Sequence, residues 1–440
     1  MLAAMSATAD SPGSPVAAVA RKSGGDACPG TLRLHRADDG ALARVRIPGG
    51  VLTAAQARTL LAVADRLGDG ELHLTSRGNL QLRGLDAECG GELAELLRAA
   101  SLLPSDRHER ARNVVASPLS GIDTSGRPEI RSWLTELDAL LCGSERAAAL
   151  SGRFLFALDD GRGDVDALDA DLTLIAVDGA RALLRTGPGG PLLPVPFDAA
   201  PRAALLAAEA FLDLAADPGV WRISALPDAA RAALPAEAAR RAGLVPPGED
   251  PPAAPPRPTA PAPAPGTVAG PGGAVALHLG VPMGRLTGTR WRALVETAER
   301  LGSGELRCTP WRGVVVPGLA AEAAPAALDV LAGAGLVTGP GSPWAGVGAC
   351  VGRPGCAKSL ADVRAEAEAA LGPAGRLPVY WSGCERRCGH PHGEWIDVVA
   401  TPAGHRIARV RGESRDAPVA VPDDPAALAA AVAAARGART

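Results

Sequence analysis

Residues 48–85 read PGGVLTAAQARTLLAVADRLGDGELHLTSRGNLQLRGL, and residues 282–319 read PMGRLTGTRWRALVETAERLGSGELRCTPWRGVVVPGL. The two stretches align without a gap at an offset of 234. Matches run from Pro48/Pro282, Gly50/Gly284 and Leu52-Thr53/Leu286-Thr287 through Leu60/Leu294 and Arg66-Leu67-Gly68/Arg300-Leu301-Gly302. They continue in Gly70-Glu71-Leu72/Gly304-Glu305-Leu306, Thr75/Thr309 and Gly84-Leu85/Gly318-Leu319. So long an ungapped match marks a duplication. Each copy predicts strand, helix, strand, the helix running from N-cap Thr53 or Thr287 to Gly68 or Gly302. In the first copy Leu72, Leu74, Leu80 and Leu82 alternate, as a half-buried strand requires. Two copies of one α/β half predict pseudo-two-fold symmetry, with the active site between the halves.

Outward from the repeat, 440 residues suffice for two to four domains. Apolar content of 47% with 21% charged residues describes a soluble globular chain, and a net charge of −3 gives no reason to expect nucleic acid. No apolar run reaches the roughly 18 residues that cross a bilayer. Residues 1–26 are small and polar without a secretory pattern, which predicts a disordered leader and a cytoplasmic location. Residues 245–273 are dominated by Pro, Ala and Gly and predict an extended linker. The expected order is a half-domain (27–104), an α/β module (105–244), the linker, a second half-domain (274–339) and a cysteine module (340–440). Pro425 to Ala435 predicts a terminal helix.

The cysteine module carries Cys350 and Cys356 with five residues between them, and Cys384 and Cys388 with three between them. Two Gly- and Pro-bearing loops, each delivering a thiolate pair, suit a four-iron four-sulfur cluster. The competing readings are structural zinc, which favours gaps of two to four residues, two disulfides, or four unrelated buried thiols. Cys28, Cys89, Cys142 and Cys308 are scattered singly.

An extended reading of Thr75 to Arg83 places Arg77, Asn79, Gln81 and Arg83 on one face opposite the leucines, a face suited to a polyanion. Arg112-Asn113 is a second such pair, and Arg386-Arg387 lie between two cluster cysteines. His390 and His392 have a spacing that a metal tolerates. Asp159, Asp160, Asp164 and Asp166 read as solvated turn residues before they read as a metal loop. Segments around 153–160, 172–177 and 395–400 predict strands.

These motifs together resemble the nitrite/sulfite reductase superfamily. The carriers are the duplicated half, Thr75 to Gln81, Arg112-Asn113-Val114 and the two cysteine pairs. Within it the chain looks most similar to the precorrin-3B synthase branch, through Ala27 to Gly30, Ala43 to Gly50 and Trp381 to Pro391. The resemblance implies an α+β fold with two pseudo-two-fold related ferredoxin-like half-domains and two larger α/β modules. It implies a 4Fe-4S cluster on Cys350, Cys356, Cys384 and Cys388, and basic groups over the reacting centre at Arg77 and Arg112. A lysine pair of the sulfite-reducing site falls at Arg153 and Leu155, and the usual Asn-Gly between the last cysteines is Arg386-Arg387. Both departures favour a tetrapyrrole as substrate rather than as cofactor.

The implied reaction is oxygen-dependent hydroxylation of precorrin-3A at C20 with γ-lactone formation, in aerobic cobalamin biosynthesis. A mononuclear non-haem iron would activate dioxygen, and an external reductase or ferredoxin would supply electrons drawn from NADH, since no Rossmann fingerprint stands out. Arg77, Arg112 and Arg387 are the expected catalytic side chains. Arg77, Asn79, Gln81, Arg83, Arg112, Asn113, Arg153 and Arg386 are expected to bind the carboxylate-rich substrate. A monomer acting without nucleic acid or membrane is expected. The alternatives are a sirohaem-dependent assimilatory sulfite or nitrite reductase and a non-catalytic iron–sulfur or tetrapyrrole-binding protein.

Overall fold

A computed structural model describes residues 28–215, 217, 219–245, 263–391 and 393–437. The leader and most of the linker lie outside them. The first half comprises β1 (His35–Ala37), β2 (Gly40–Val45), β3 (Val51–Thr53), α1 (Ala54–Leu67), β4 (Leu72–Leu74), β5 (Leu80–Leu85) and α2 (Gly90–Ala99). A module follows, with β6 (Val114–Ala116), α3 (Arg131–Gly143), β7 (Phe156–Asp159), β8 (Leu172–Ala176), β9 (Arg181–Thr186), β10 (Leu192–Pro196), α4 (Ala200–Leu214) and α5 (Asp228–Ala242). The second half holds β11 (Gly266–Ala269), β12 (Ala274–Gly280), β13 (Arg285–Leu286), α6 (Gly288–Arg300), β14 (Glu305–Cys308), β15 (Gly313–Ala320) and α7 (Ala324–Gly333). The cysteine module has β16 (Val347–Ala349), α8 (Val363–Ala369), β17 (Val379–Ser382), β18 (Glu394–Thr401), β19 (Gly404–Arg411), β20 (Ser414–Arg415), β21 (Val419–Val421) and α9 (Pro425–Arg436).

The repeat forms as its caps direct. Thr53 Oγ1 accepts from Gln56 N and Gln56 Oε1 accepts from Thr53 N, a reciprocal cap on α1. At the start of α6 Thr287 Oγ1 likewise accepts from Arg290 N, without a reciprocal bond. Each half then lends a strand to the other. Strand β13 pairs with β4, and β3 pairs with β14, so both five-stranded sheets are completed across the pseudo-dyad. Helices α1 and α6 meet at the same axis, where Trp291 Nε1 donates to Ala57 O at 2.7 Å. Ala57 and Trp291 are equivalent positions at the 234-residue offset. One hydrophobic core spans both halves, from Leu52, Leu60 and Leu82 to Leu294, Leu306 and Val316.

The two modules repeat one topology. In each, three parallel strands (β6, β7, β8 and β16, β17, β18) continue into an antiparallel neighbour. The central β8 is apolar and buried along its length, as a covered parallel strand must be. Gly266–Ala269, expected in the linker, is an edge strand on β12.

Two local expectations are corrected. Thr75 to Arg83 is not continuously extended, because residues 75–79 turn between β4 and β5. Thr75 N donates to Asn79 O, and Gly78 N donates to Thr75 O. Gly78 has φ +67°, and a Cβ there would stand 2.8 Å from Cys308 O. Arg77 therefore rides on a hairpin turn. The second correction concerns Asp159, Asp160, Asp164 and Asp166, which are buried rather than solvated. Asp159 accepts four backbone N–H groups, from Gly161, Gly163, Val165 and Asp166. Arg162 pairs with Asp160 and Asp123. This network occupies the loop after β7, the topological counterpart of the cysteine loop after β17.

Candidate active site

Cys350 directly follows β16, and Cys384 and Cys388 follow β17, at the carboxyl ends of parallel strands where α/β sheets place ligands. Cys350 N donates to Trp381 O at 2.9 Å, and Leu360 N donates to Gly383 O at 2.8 Å, so the two loops are tied together. Gly383 N donates to Cys350 Sγ at 3.3 Å. A Cβ on Gly383 would lie 1.7 Å from Ser359 Oγ, so only glycine brings this amide to the sulfur. All four thiols line one cavity of about 370 Å³. Burial pushes the Cys350 thiol up, and the neighbouring Cys388 and Cys384 add to this while the Gly383 and Gly352 amides oppose it.

The spacing of the sulfurs tests the metal. Zinc at about 2.3 Å from each thiolate holds tetrahedral sulfurs about 3.8 Å apart. Among the described residues no three of these sulfurs fall within 4.8 Å of one another. The amide directed at sulfur suits a cluster. The donor set fits a four-iron cluster on Cys350, Cys356, Cys384 and Cys388.

The rest of the cavity wall is basic. Arg44, Arg46 and Arg77 reach it from the first half, and Arg312 and Arg364 from the second half and the cysteine module. Arg46 is buried; its Nη2 donates to Cys28 Sγ and to Gly152 O, each at 3.0 Å. Its Nε and Nη1 are buried without a hydrogen-bond partner among the described residues. Burial, with Arg44 and Arg77 nearby, brings the Arg46 pKa down to about 10. Burial, with Arg222 and Arg44, likewise lowers that of Arg77, and burial, with Arg285 and Arg83, that of Arg364. Desolvated guanidiniums lacking carboxylate partners make a receptor for anionic groups.

The predicted residues divide under this geometry. Arg77, Asn79, Gln81, Arg83 and Arg387 border the cavity. Of these, Arg77 has no ion pair or side-chain hydrogen bond among the described residues. Asn79 is instead a buried strut: its Nδ2 donates to Asn113 Oδ1 at 3.1 Å, and its Oδ1 accepts from Ile47 N. Asn113 closes that link through Phe154 O and lies off the cavity. Arg83 is committed to Asp39, at 2.8 and 2.7 Å, and to Gly355 O, which docks the first half onto the Cys356 loop. Arg112 is corrected altogether; it lies off the cavity, held by Asp138 at 2.7 and 2.8 Å and by Leu102 O. Arg387 pairs with Asp397 at 2.7 Å and with Glu385, so it braces the loop rather than offering a free charge. Arg386 faces a separate groove, Arg153 stacks on Trp221 at 4.4 Å, and Leu155 is core. His390 stacks on Trp395 outside the cavity, and His392 lies outside the described residues.

Arg44 and Arg46 were legible, since Arg44-Val45-Arg46 alternates about the buried Val45. Arg312 and Arg364 carry no local signal.

Residues 34–100 and 269–334 match the nitrite/sulfite reductase ferredoxin-like half domain. A precorrin-3B synthase from a Sinorhizobium species is 28% identical over 411 residues, 90% of this chain and 85% of that protein. The chain thus carries two copies of a nitrite/sulfite reductase ferredoxin-like half domain and is similar along most of its length to a precorrin-3B synthase. A ferredoxin–nitrite reductase of Synechococcus elongatus is 34% identical over 127 residues, 28% of this chain and 25% of that protein. The fold is similar to that of the Mycobacterium tuberculosis NirA protein, with a TM-score of 0.67 at 20% identity over 86% of this chain and 77% of that one.

Proposed function

We propose that the chain is a precorrin-3B synthase, an iron–sulfur oxidoreductase that hydroxylates precorrin-3A at C20 and closes the γ-lactone with dioxygen. The observation that carries this reading is the cavity itself, where four thiols share one wall with guanidiniums that lack counter-ions. The similarity over nine-tenths of the chain to a precorrin-3B synthase supports it, whereas the nitrite reductase match covers about a quarter.

The substrate bears eight carboxylates. Arg46 and Arg77, already desolvated, would bind them without further loss of hydration, and Arg44 and Arg364 extend the clamp. Each well-desolvated pair contributes about 1–3 kcal/mol. Arg83, Asn79 and Arg387 act one step back, holding the hairpin and the cysteine loops in place. A cluster on Cys350, Cys356, Cys384 and Cys388 would supply single electrons, and a mononuclear iron would supply oxygen activation. Electrons originating from NADH would enter from an external donor. Cys384 also borders a groove of about 760 Å³ in which Lys358 and Arg386 stand beside an Arg406–Glu385 ion pair, the face we assign to a donor protein. Among the described residues no helix is long and apolar enough to cross a membrane, and we place the enzyme in the cytoplasm.

Mass spectrometry of the product formed from precorrin-3A under oxygen tests the proposal; recovery of unchanged precorrin-3A by the cluster-loaded protein would overturn it. Soret and visible bands from bound sirohaem would instead favour a nitrite or sulfite reductase.

A further inference from the structure

Asp69, Glu71 and His73 sit at alternate positions along the chain entering β4, and their ligand atoms all lie within 4.8 Å of one another. His73 Nε2 stands 3.8 Å from Asp69 Oδ2 and 3.9 Å from Glu71 Oε2. Both separations are too long for hydrogen bonds. Among the described residues Nε2 is buried and has no hydrogen-bond partner, in a side chain only 9% exposed. A buried ring nitrogen aimed at two carboxylates across such a gap needs an occupant. Two ligands each about 2.1 Å from a common ion lie about 3.0 Å apart at a right angle and about 4.2 Å apart when opposite. Both measured separations fall inside that range.

The geometry points to a divalent metal site built from His73 Nε2, Asp69 and Glu71, taking a first-row ion such as Fe(II) or Mn(II). One imidazole and two carboxylates are the donor set that such ions prefer over soft metals. Arg285 grips both oxygens of Glu71, at 2.5 and 2.6 Å, yet a carboxylate has about four lone-pair directions and retains some for an ion. Arg364 Nη2 lies 3.4 Å from His73 Nδ1, and because a guanidinium only donates, metal binding at Nε2 requires this long contact to open so that Nδ1 carries the ring proton. The same guanidinium donates to Cys350 O at 3.3 Å, which links the site to the cluster loop. His73 lines the cavity that holds the four thiols. The site thus faces the proposed substrate pocket, and seating there the second iron of the synthase rests on that reading.

The test is titration of cluster-loaded protein with Mn(II), following the free ion by its room-temperature EPR signal. Wild type binds one ion per chain. Asp69→Asn and His73→Ala each weaken binding at least about tenfold. Arg285→Ala tightens it, because a competing cation has gone. No saturable binding to wild type, or binding unchanged in both ligand variants, overturns the site. Asp69 is partly exposed, so Asp69→Asn serves if His73→Ala does not fold. Loss of Mn(II) binding in the variants, with no turnover of precorrin-3A by wild type, leaves the site standing and removes the synthase reading alone.

Discussion

Two arginines that looked alike in sequence have opposite roles. Arg112 is bonded to Asp138 and Leu102 O, so Arg112→Ala strands a partly buried carboxylate and is expected to cost about 3–5 kcal/mol of stability, read by urea denaturation. Arg77 has no such partner, and desolvation already disfavours its charge. Arg77→Ala is expected to leave the melting temperature unchanged or raised and to weaken precorrin-3A binding by about 1–3 kcal/mol, roughly 5- to 150-fold, in a titration of the cluster-loaded protein. Wild-type binding in that variant would remove Arg77 from the clamp. Among the thiols, Cys388→Ser is expected to abolish iron and acid-labile sulfide, whereas Cys308→Ser leaves both intact. Cys308 is buried in the shared core, its pKa pushed up to about 12 by burial alone. Iron retained at the wild-type level in Cys388→Ser would remove that residue from the ligand set.

The loop after β7 is where one element departs most from its sequence reading. Its carboxylates have replaced water with backbone amides and Arg162, which leaves Asp164 Oδ2 buried 3.8 Å from Arg162 Nε, without a hydrogen bond among the described residues. Burial, reinforced by Asp159, raises the Asp164 pKa from the ordinary 3.8 to about 7. Below the ordinary value the folded and unfolded states both carry the proton, and the group's stabilising contribution is fully present. Between there and about pH 7 the folded state keeps a proton that the unfolded state has released, so stability falls as pH rises through that window. Thermal melts from pH 4 to 8 should show this decline and should show it flattened in Asp164→Asn. The amide oxygen can still accept from Ser117 Oγ and Val165 N, at 2.6 and 2.8 Å. An identical slope in both proteins would contradict the assignment.

At the scale of the whole molecule, the halves are interlocked rather than merely adjacent. Each completes the other's sheet, and Trp291 seals the axis with no exposed surface. Trp291→Ala is expected to cost about 3–5 kcal/mol, with both halves unfolding in a single urea transition. Two separate transitions in wild type would refute the interlock.

The sequence by itself determined the duplication, the helix caps, the strand-forming runs and the four thiols. All are local or periodic signals, carried by residues near one another in the chain or by a repeat that can be laid over itself. A signal for Arg44 and Arg46 was also there, in their positions either side of Val45, although the site expected from sequence did not include them. Only the tertiary structure decided which charged groups face the cavity and which are spent in holding it. That outcome depends on partners far along the chain, Asp138 for Arg112 and Gly355 for Arg83, 26 and 272 residues away. A guanidinium reads the same in sequence whether it ends against a carboxylate or against an empty cavity, because burial and pairing are set by packing between elements.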